Sequence, residues 1–316
     1  MDLCKARLLS LKTERQHQAL YDRTDAGVLI PSGGTSVFTA TSSNTYLENK
    51  ELANSLLDLF RRNGVKLHPT CDIVRLASNA VALSDSLFCD PLATCSDMER
   101  FEVLQLRRIA SAAMSLDGAT VASKYLRDLR NGSLDLFERK QSKAKDTLWE
   151  LELRELFRSW SMNVEFGEPD LIVQFEDSRV GVSCKKIYSI ENLEKVLSRA
   201  VKQIAVACDF GIVAMNLDDL VPARQSLHAR STQEMADILA SCNFEFLRTH
   251  ERHFRRYLES GRAICALIST AAFVEIPAES PRYLNARQSF VWTIPGLPAA
   301  AAQQVRRFRD AINGTN

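Results

Sequence analysis

A carboxylate and an ammonium group in one short stretch have the types and spacing for phosphodiester chemistry. Asp170 follows Pro169 at the head of an apolar run, and the next apolar run, Val180-Gly181-Val182-Ser183-Cys184, ends on Lys185. Side chains alternate along a strand. Val180, Val182 and Cys184 therefore share one face, suited to a core, and Gly181, Ser183 and Lys185 share the other. Glu176-Asp177-Ser178 supplies a turn, so a hairpin brings Asp170 beside Ser183 and Lys185. A carboxylate is a hard oxygen ligand for Mg²⁺ (or Mn²⁺), and a divalent cation polarises a phosphoryl oxygen and lowers the pKa of a water it holds. A lysine in the same cleft can orient that water or offset charge developing on phosphate.

The surrounding pattern supplies elements to hold such a pair. Residues 147–160 (TLWELELRELFRSW) read as a helix with Trp149, Leu153, Leu156 and Trp160 on one face. Strands are expected at 163–166, 171–175 and 180–185, a helix over 190–207 with Leu193, Leu197, Ala200 and Ile204 buried, and a strand at 211–217. A long helix over 232–260, with a break possible near Asn243, and a strong strand from Ala263 follow. The order α-β-β-β-α-β, then α-β, predicts an α/β fold with a mixed sheet flanked by helices. The first 145 residues read as a mainly helical domain. Leu52, Leu56, Leu57, Leu59 and Phe60 recur at helical spacing before a stop at Asn63-Gly64, and 99–116 and 119–130 read as further helices. The Ser/Thr-rich stretch 35–45 reads as a mobile loop. The polar run 139–146 (RKQSKAKD) reads as a linker or as the exposed start of a helix, which sets a boundary between a domain of 1–145 and one of 146–316.

In this order of elements, residues 149–204 resemble the PD-(D/E)XK, restriction-endonuclease-like nuclease superfamily. Pro169-Asp170 matches the first motif, Cys184-Lys185 the x-Lys of the second, Glu150 an acidic residue on the preceding helix, and Gln203 a glutamine that several branches carry on the following helix. The resemblance implies a Mg²⁺-dependent endonuclease acting on DNA, with Asp170, Lys185, Glu150 and Gln203 as catalytic residues. It also implies a nucleic-acid partner, a role in restriction or anti-phage defence, and room for a homodimer. The family's acid two positions before the lysine is Ser183 here, and serine is a poorer metal ligand than a carboxylate. Three readings stay open. The acid has migrated to Glu191 or Glu194 at the next helix, Glu168 assists from two residues before Asp170, or the site binds nucleic acid without cutting it. An RNA-directed nuclease is a further alternative.

The formal net charge of +1 makes any phosphate-binding surface a matter of local clustering. Lys195, Arg199 and Lys202 fall along one helix face and, with Lys186, are the expected nucleic-acid contacts. A denser run, Arg248, His250, Arg252, His253, Arg255 and Arg256, suits either a backbone grip or a solvated helix. Each residue also has an ordinary use: aspartate starts strands, and lysine blunts edge strands. His68, Cys71, Cys89 and Cys95 are loosely compatible with zinc, though their spacing is irregular. No signal peptide is legible at the start of the chain and no apolar run reaches the roughly 18 residues of a membrane span. With eight scattered cysteines, the expectation is a cytoplasmic protein with reduced thiols.

Overall fold

The computed structural model describes residues 28–31, 36–39, 45–89, 95–222, 226–279 and 282–312. Helices α1 (Thr45–Arg62), α2 (Asp72–Cys89), α3 (Asp97–Met114) and α4 (Ala122–Arg130) form a helical layer. Leu56, Leu59, Phe60, Leu76, Leu106, Ile109, Leu126 and Leu129 fill its core, each fully buried large side chain contributing roughly 1.5–3 kcal/mol. Ser96 starts α3 through a capping box with Glu99, each side chain bonding the other's backbone N–H.

Helix α5 (Lys143–Ser159) joins this layer to the sheet. Ala144, Leu148 and Leu151 pack into the helical core, while Trp149, Leu153 and Phe157 pack onto the sheet. The expected single apolar face is thus two faces. The polar run 139–146 contains the helix start, and the expected boundary at 145/146 falls inside the first turn of α5.

The sheet comprises β1 (Val28–Pro31), β2 (Ser36–Thr39), β3 (Asn163–Phe166), β4 (Leu171–Phe175), β5 (Ser178–Lys186), β6 (Phe210–Asn216), β7 (Leu227–His228), β8 (Cys265–Glu275) and β9 (Tyr283–Thr293). Its order is β1-β9-β8-β6-β5-β4-β3, with β2 also paired to β9 and β7 to β8. The β5–β6 and β6–β8 pairs are parallel, while β3–β4, β4–β5 and β8–β9 are antiparallel. This is an α/β fold with a mixed sheet flanked by helices. Parallel neighbours require crossovers. Helices α6 (Leu193–Ala207) and α7 (Thr232–Glu259) supply them, burying Leu197, Val201, Ile204, Phe246 and Phe254 against one face of the sheet. Helices α5 and α8 (Ala299–Ile312) cover the other with Trp149, Phe157, Val305 and Phe308.

Three expectations shift. Helix α7 runs unbroken through Asn243, whose buried amide donates to Gln288 O at 2.9 Å and accepts from Thr270 Oγ1 at 2.6 Å. The stretch read as a mobile loop contains β2, held by its ladder to β9. Both faces of β5 are covered, so Gly181 and Ser183 are as buried as Val180 and Val182. The basis is the covering of a parallel sheet on both sides.

Candidate active site

Asp170 sits just before β4, and the register Leu171↔Val182 continues to set it opposite Ser183 on β5. Close approach fixes this corner. A methyl group at Gly181 would come within 2.9 Å of Pro169 Cδ, so only glycine lets the proline lie against β5. On the same face, Gly211 of β6, paired with Gly181, lies against Ile204 of α6, where a Cβ would meet Cγ2 at 2.2 Å. That contact seats α6 low on the sheet and brings the neighbouring Gln203 over Ser183.

The hydrogen bonds at Asp170 are one-sided. Oδ2 accepts from Cys184 N at 2.8 Å and Lys185 Nζ at 3.0 Å, and Ser183 Oγ lies 3.4 Å from it. Oδ1 accepts none among the described residues. Ser183, at 0 % exposure, also has its Oγ 3.3 Å from Gln203 Oε1. It therefore links Asp170 to Gln203 and presents no ligand to the cleft.

Glu150 faces this corner from α5. It is 9 % exposed, and among the described residues its one polar partner is Lys143 Nζ at 3.8 Å, beyond hydrogen-bond distance. Burial first, and then the charge of Asp170, push its carboxyl up to about 7, against the pull of Lys143 and Lys185. Two phenols border the cleft. Tyr125, from α4, stacks on Phe166 with ring centroids 4.2 Å apart, and burial and the Glu150 charge raise its pKa. Tyr188, just after β5, donates to Asp146 Oδ1 at 2.9 Å. Burial, then Asp170 and Glu150, also raise the Cys184 thiol, which stays protonated in the core.

The structure brings Asp170, Lys185, Glu150 and Gln203 to one corner. Glu168 is exposed, Glu191 is exposed on the turn before α6, and Glu194 pairs outward with Arg256 at 3.2 Å. Lys186 is a correction to the expected phosphate contacts. Its side chain is 4 % exposed and turned to the opposite side of β5, 2.8 Å from Asp219 Oδ2 and donating to Asn216 Oδ1 at 2.8 Å. Strand alternation is the reason: adjacent residues cannot line the same groove. Lys195, Arg199 and Lys202 are exposed on α6 and form no ion pair among the described residues. On α7, Arg248, Arg255 and Arg256 pair with Glu245, Glu251 and Glu194, which largely neutralises the dense basic run.

A second polar cluster lies behind β5. Arg108 of α3 bonds Glu152 of α5 and reaches Asp218 Oδ2 at 2.5 Å, while Arg287 of β9 donates to the same Glu152 at 2.5 Å. Burial would raise the Asp218 carboxyl, but Arg108, Lys186 and Arg287 together hold it well below the carboxylate range. Arg108, Arg139, Lys145, Lys186, Asp218 and Asp219 line a cavity of about 20 Å³, room for a single ordered water. Sequence reading missed this cluster, because Arg108 meets partners 44 and 110 positions away. It also missed Tyr125, Asp146 and Tyr188. The signal for Asp146 was its place four residues before Glu150.

Among the described residues, no three His, Cys, Asp or Glu side chains are arranged to hold a metal ion. That includes His68, Cys71 and Cys95. His68 Nδ1 bonds Thr70, and Cys95 bonds Ser96 O. The described cysteines are free thiols, and no helix among the described residues is long and apolar enough to cross a membrane. The chain matches no family model, no curated protein and no solved structure.

Proposed function

We propose that this chain is a divalent-metal-dependent nuclease with a restriction-endonuclease-like core (α5-β3-β4-β5-α6-β6), hydrolysing phosphodiester bonds in DNA. The observation that carries the reading is the asymmetry at Asp170, with Oδ2 held by Cys184 N–H and Lys185 and Oδ1 accepting no hydrogen bond among the described residues, while the Asp170 charge acts on the buried Glu150 carboxyl. The nearest ammonium to Glu150, Lys143, stands 3.8 Å away, beyond hydrogen-bond distance, and a buried carboxylate is costly unless it is compensated. Two carboxylates suit Mg²⁺, which keeps several waters and takes one or two protein carboxylates together with substrate phosphate. In this reading Asp170 and Glu150 hold Mg²⁺ or Mn²⁺. The cation's contribution is polarisation of a phosphoryl oxygen and a lowered pKa for water. Lys185, 3.0 Å from Asp170, orients the attacking water or meets charge on the phosphate. Ser183 and Gln203 keep Asp170 in place, and Lys195, Arg199 and Lys202 track the backbone from α6. Such contacts position a nucleic acid without reading its sequence.

One observation favours a second reading, a protein that binds nucleic acid without cutting it: Ser183 stands where an acid is expected, and among the described residues no third ligand converges with Asp170 and Glu150. Purified protein with Mg²⁺, plasmid DNA and a matched RNA, beside Asp170→Ala and Lys185→Ala, separates these readings. Cutting of DNA by the wild type and by neither variant is the expected result. Cutting that survives both substitutions would remove these residues from the chemistry. Binding without turnover under any divalent metal selects the second reading, and cutting of RNA alone reassigns the substrate.

A further inference from the structure

The corner that holds Asp170 has a further border, and it comes from the helical layer. Phe166 ends β3 and pairs with Leu171, and in the turn between them the Gly167 N–H donates to Asp170 O at 3.3 Å. Tyr125 of α4 stacks on that phenylalanine with ring centroids 4.2 Å apart. Arg154 of α5 sets its guanidinium 4.7 Å from the same Phe166 ring. Lys124 Nζ lies 5.2 Å from the Tyr125 ring centre, a cation–π contact that steadies an otherwise free side chain. Helix α4 thus stands against the segment that carries Asp170.

What α4 presents there is a set of donors without partners. The Tyr125 ring is buried in the core, yet its hydroxyl makes no hydrogen bond among the described residues and is not among the buried polar atoms, so it opens to water. A phenol with a packed ring and a wet oxygen suits an interface. Burial, and then the Glu150 charge, hold its proton on, so it stays a donor. Lys124 and Arg127, three residues apart on the same helix, are exposed and form no ion pair among the described residues. Asp128, the one acid of α4, is turned instead to Lys143 of α5 at 3.9 Å. The contrast is with α7, where Arg248 and Arg255 are matched by glutamates of their own helix. We infer that α4 is a second wall of the nucleic-acid groove, facing a DNA duplex with the Tyr125 hydroxyl as donor to a phosphate oxygen and with Lys124 and Arg127 on neighbouring phosphates. The inference rests on the reading of Asp170 and Lys185 as a phosphodiester site, with Lys195, Arg199 and Lys202 of α6 as the first wall. It gives the helical layer a part in holding the substrate. Donors of this kind fix a backbone in place without reading its bases.

The test is fluorescence anisotropy of the full chain on a labelled DNA duplex, in chelator and again in Ca²⁺, over a series of salt concentrations. The variants are Tyr125→Phe, the double variant Lys124→Gln with Arg127→Gln, and Arg306→Gln as control, with circular dichroism to check each fold. Arg306 is an exposed cation of α8, whose neighbour Arg307 pairs with Asp177 at the end of β4 opposite to Asp170. Each lost phosphate contact lowers the slope of log affinity against log salt by about one. The double variant is expected to lower it by about two, and Arg306→Gln to leave it unchanged. Tyr125→Phe is expected to weaken binding about 2–12-fold at an unchanged slope, because the hydroxyl is neutral. Its urea midpoint should stay that of wild type, because the hydroxyl has no protein partner to lose. A wild-type slope in the double variant, wild-type affinity in Tyr125→Phe, or an equal fall in slope in Arg306→Gln overturns the inference and leaves the site at Asp170 standing. Should Tyr125→Phe not fold, the double variant, changed only at the surface, carries the test. A wild type that binds no duplex in either condition overturns the nucleic-acid reading itself.

Discussion

Two polar clusters lie on opposite sides of β5, each sharing helix α5, and they are built by opposite rules. Behind the strand, Glu152 is met by Arg108 and Arg287, Asp218 by Arg108 and the Ala271 N–H, and Lys186 by Asp219 and Asn216. In front, among the described residues, Glu150 has Lys143 at 3.8 Å but no hydrogen bond, and Asp170 and Asp146 each have an oxygen with none. The two environments drive their carboxyls in opposite directions: Asp218 falls well below its ordinary range, and Glu150 rises to about 7. The rear cluster pairs its charges, though Asp219 Oδ2 and Asn216 Nδ2 are buried without a hydrogen bond among the described residues. The front cluster leaves acceptor oxygens open beside Lys185.

The comparison breaks first, and with the largest effect, at Arg108. Arg108→Met leaves Glu152 and Asp218 partly uncompensated in the interior, and removing one partner of a buried network costs about 3–5 kcal/mol. Urea denaturation measures this, and the folded fraction of the variant is expected to bind Mn²⁺ as wild type does. A loss under about 1 kcal/mol would mean that the rear cluster does not hold the layers together.

Next comes the pH signature. Between about 4.5 and about 7 the folded chain keeps a proton on Glu150 that the unfolded chain has released. Folding then binds protons, and stability falls as pH rises through that window. Asp218 acts with the opposite sign: its stabilisation is full above the ordinary carboxylate range and is lost as pH drops below it. Glu150→Gln removes the first effect. It is expected to stabilise the metal-free protein by up to about 3 kcal/mol at pH 8 and to leave it unchanged near pH 4. Urea melts in chelator at the two pH values check this, and equal stability of wild type and variant at pH 8 would show that Glu150 carries no burial penalty.

The smallest effect sharpens the contrast at the surface. Lys195→Gln, Arg199→Gln and Lys202→Gln should each change stability by under about 0.5 kcal/mol. Each should lower the slope of DNA affinity against salt by about one where it meets a phosphate. Lys186→Met should do the reverse, destabilising the fold with no change in slope, because its charge is matched by Asp219. Fluorescence anisotropy on a labelled duplex at several salt concentrations reads the slopes.

Much of the core was legible because its signals are local. Alternation placed β3, β4 and β5, periodicity placed α6, and the turn at Glu176-Asp177-Ser178 set the register that puts Asp170 opposite Ser183. What was not legible depends on partners distant in sequence or on face assignment. Lys185 and Lys186 look alike in the chain, but the strand sends one to Asp170 and the other to Asp219. Glu191 and Glu194 have the right charge near the next helix, yet α6 turns them outward. Asp146 was hidden in a polar run whose last residues are the first turn of α5. Its partner Tyr188 lies 42 positions further on.

The account turns on whether the open side of Asp170 receives a cation. Crystals grown with Mn²⁺ and measured at an anomalous wavelength test that directly. The expected result is an anomalous peak about 2.1 Å from Asp170 Oδ1 and bonded to Glu150. A clear map with no peak at that corner, or with the metal held elsewhere on the chain, would contradict it.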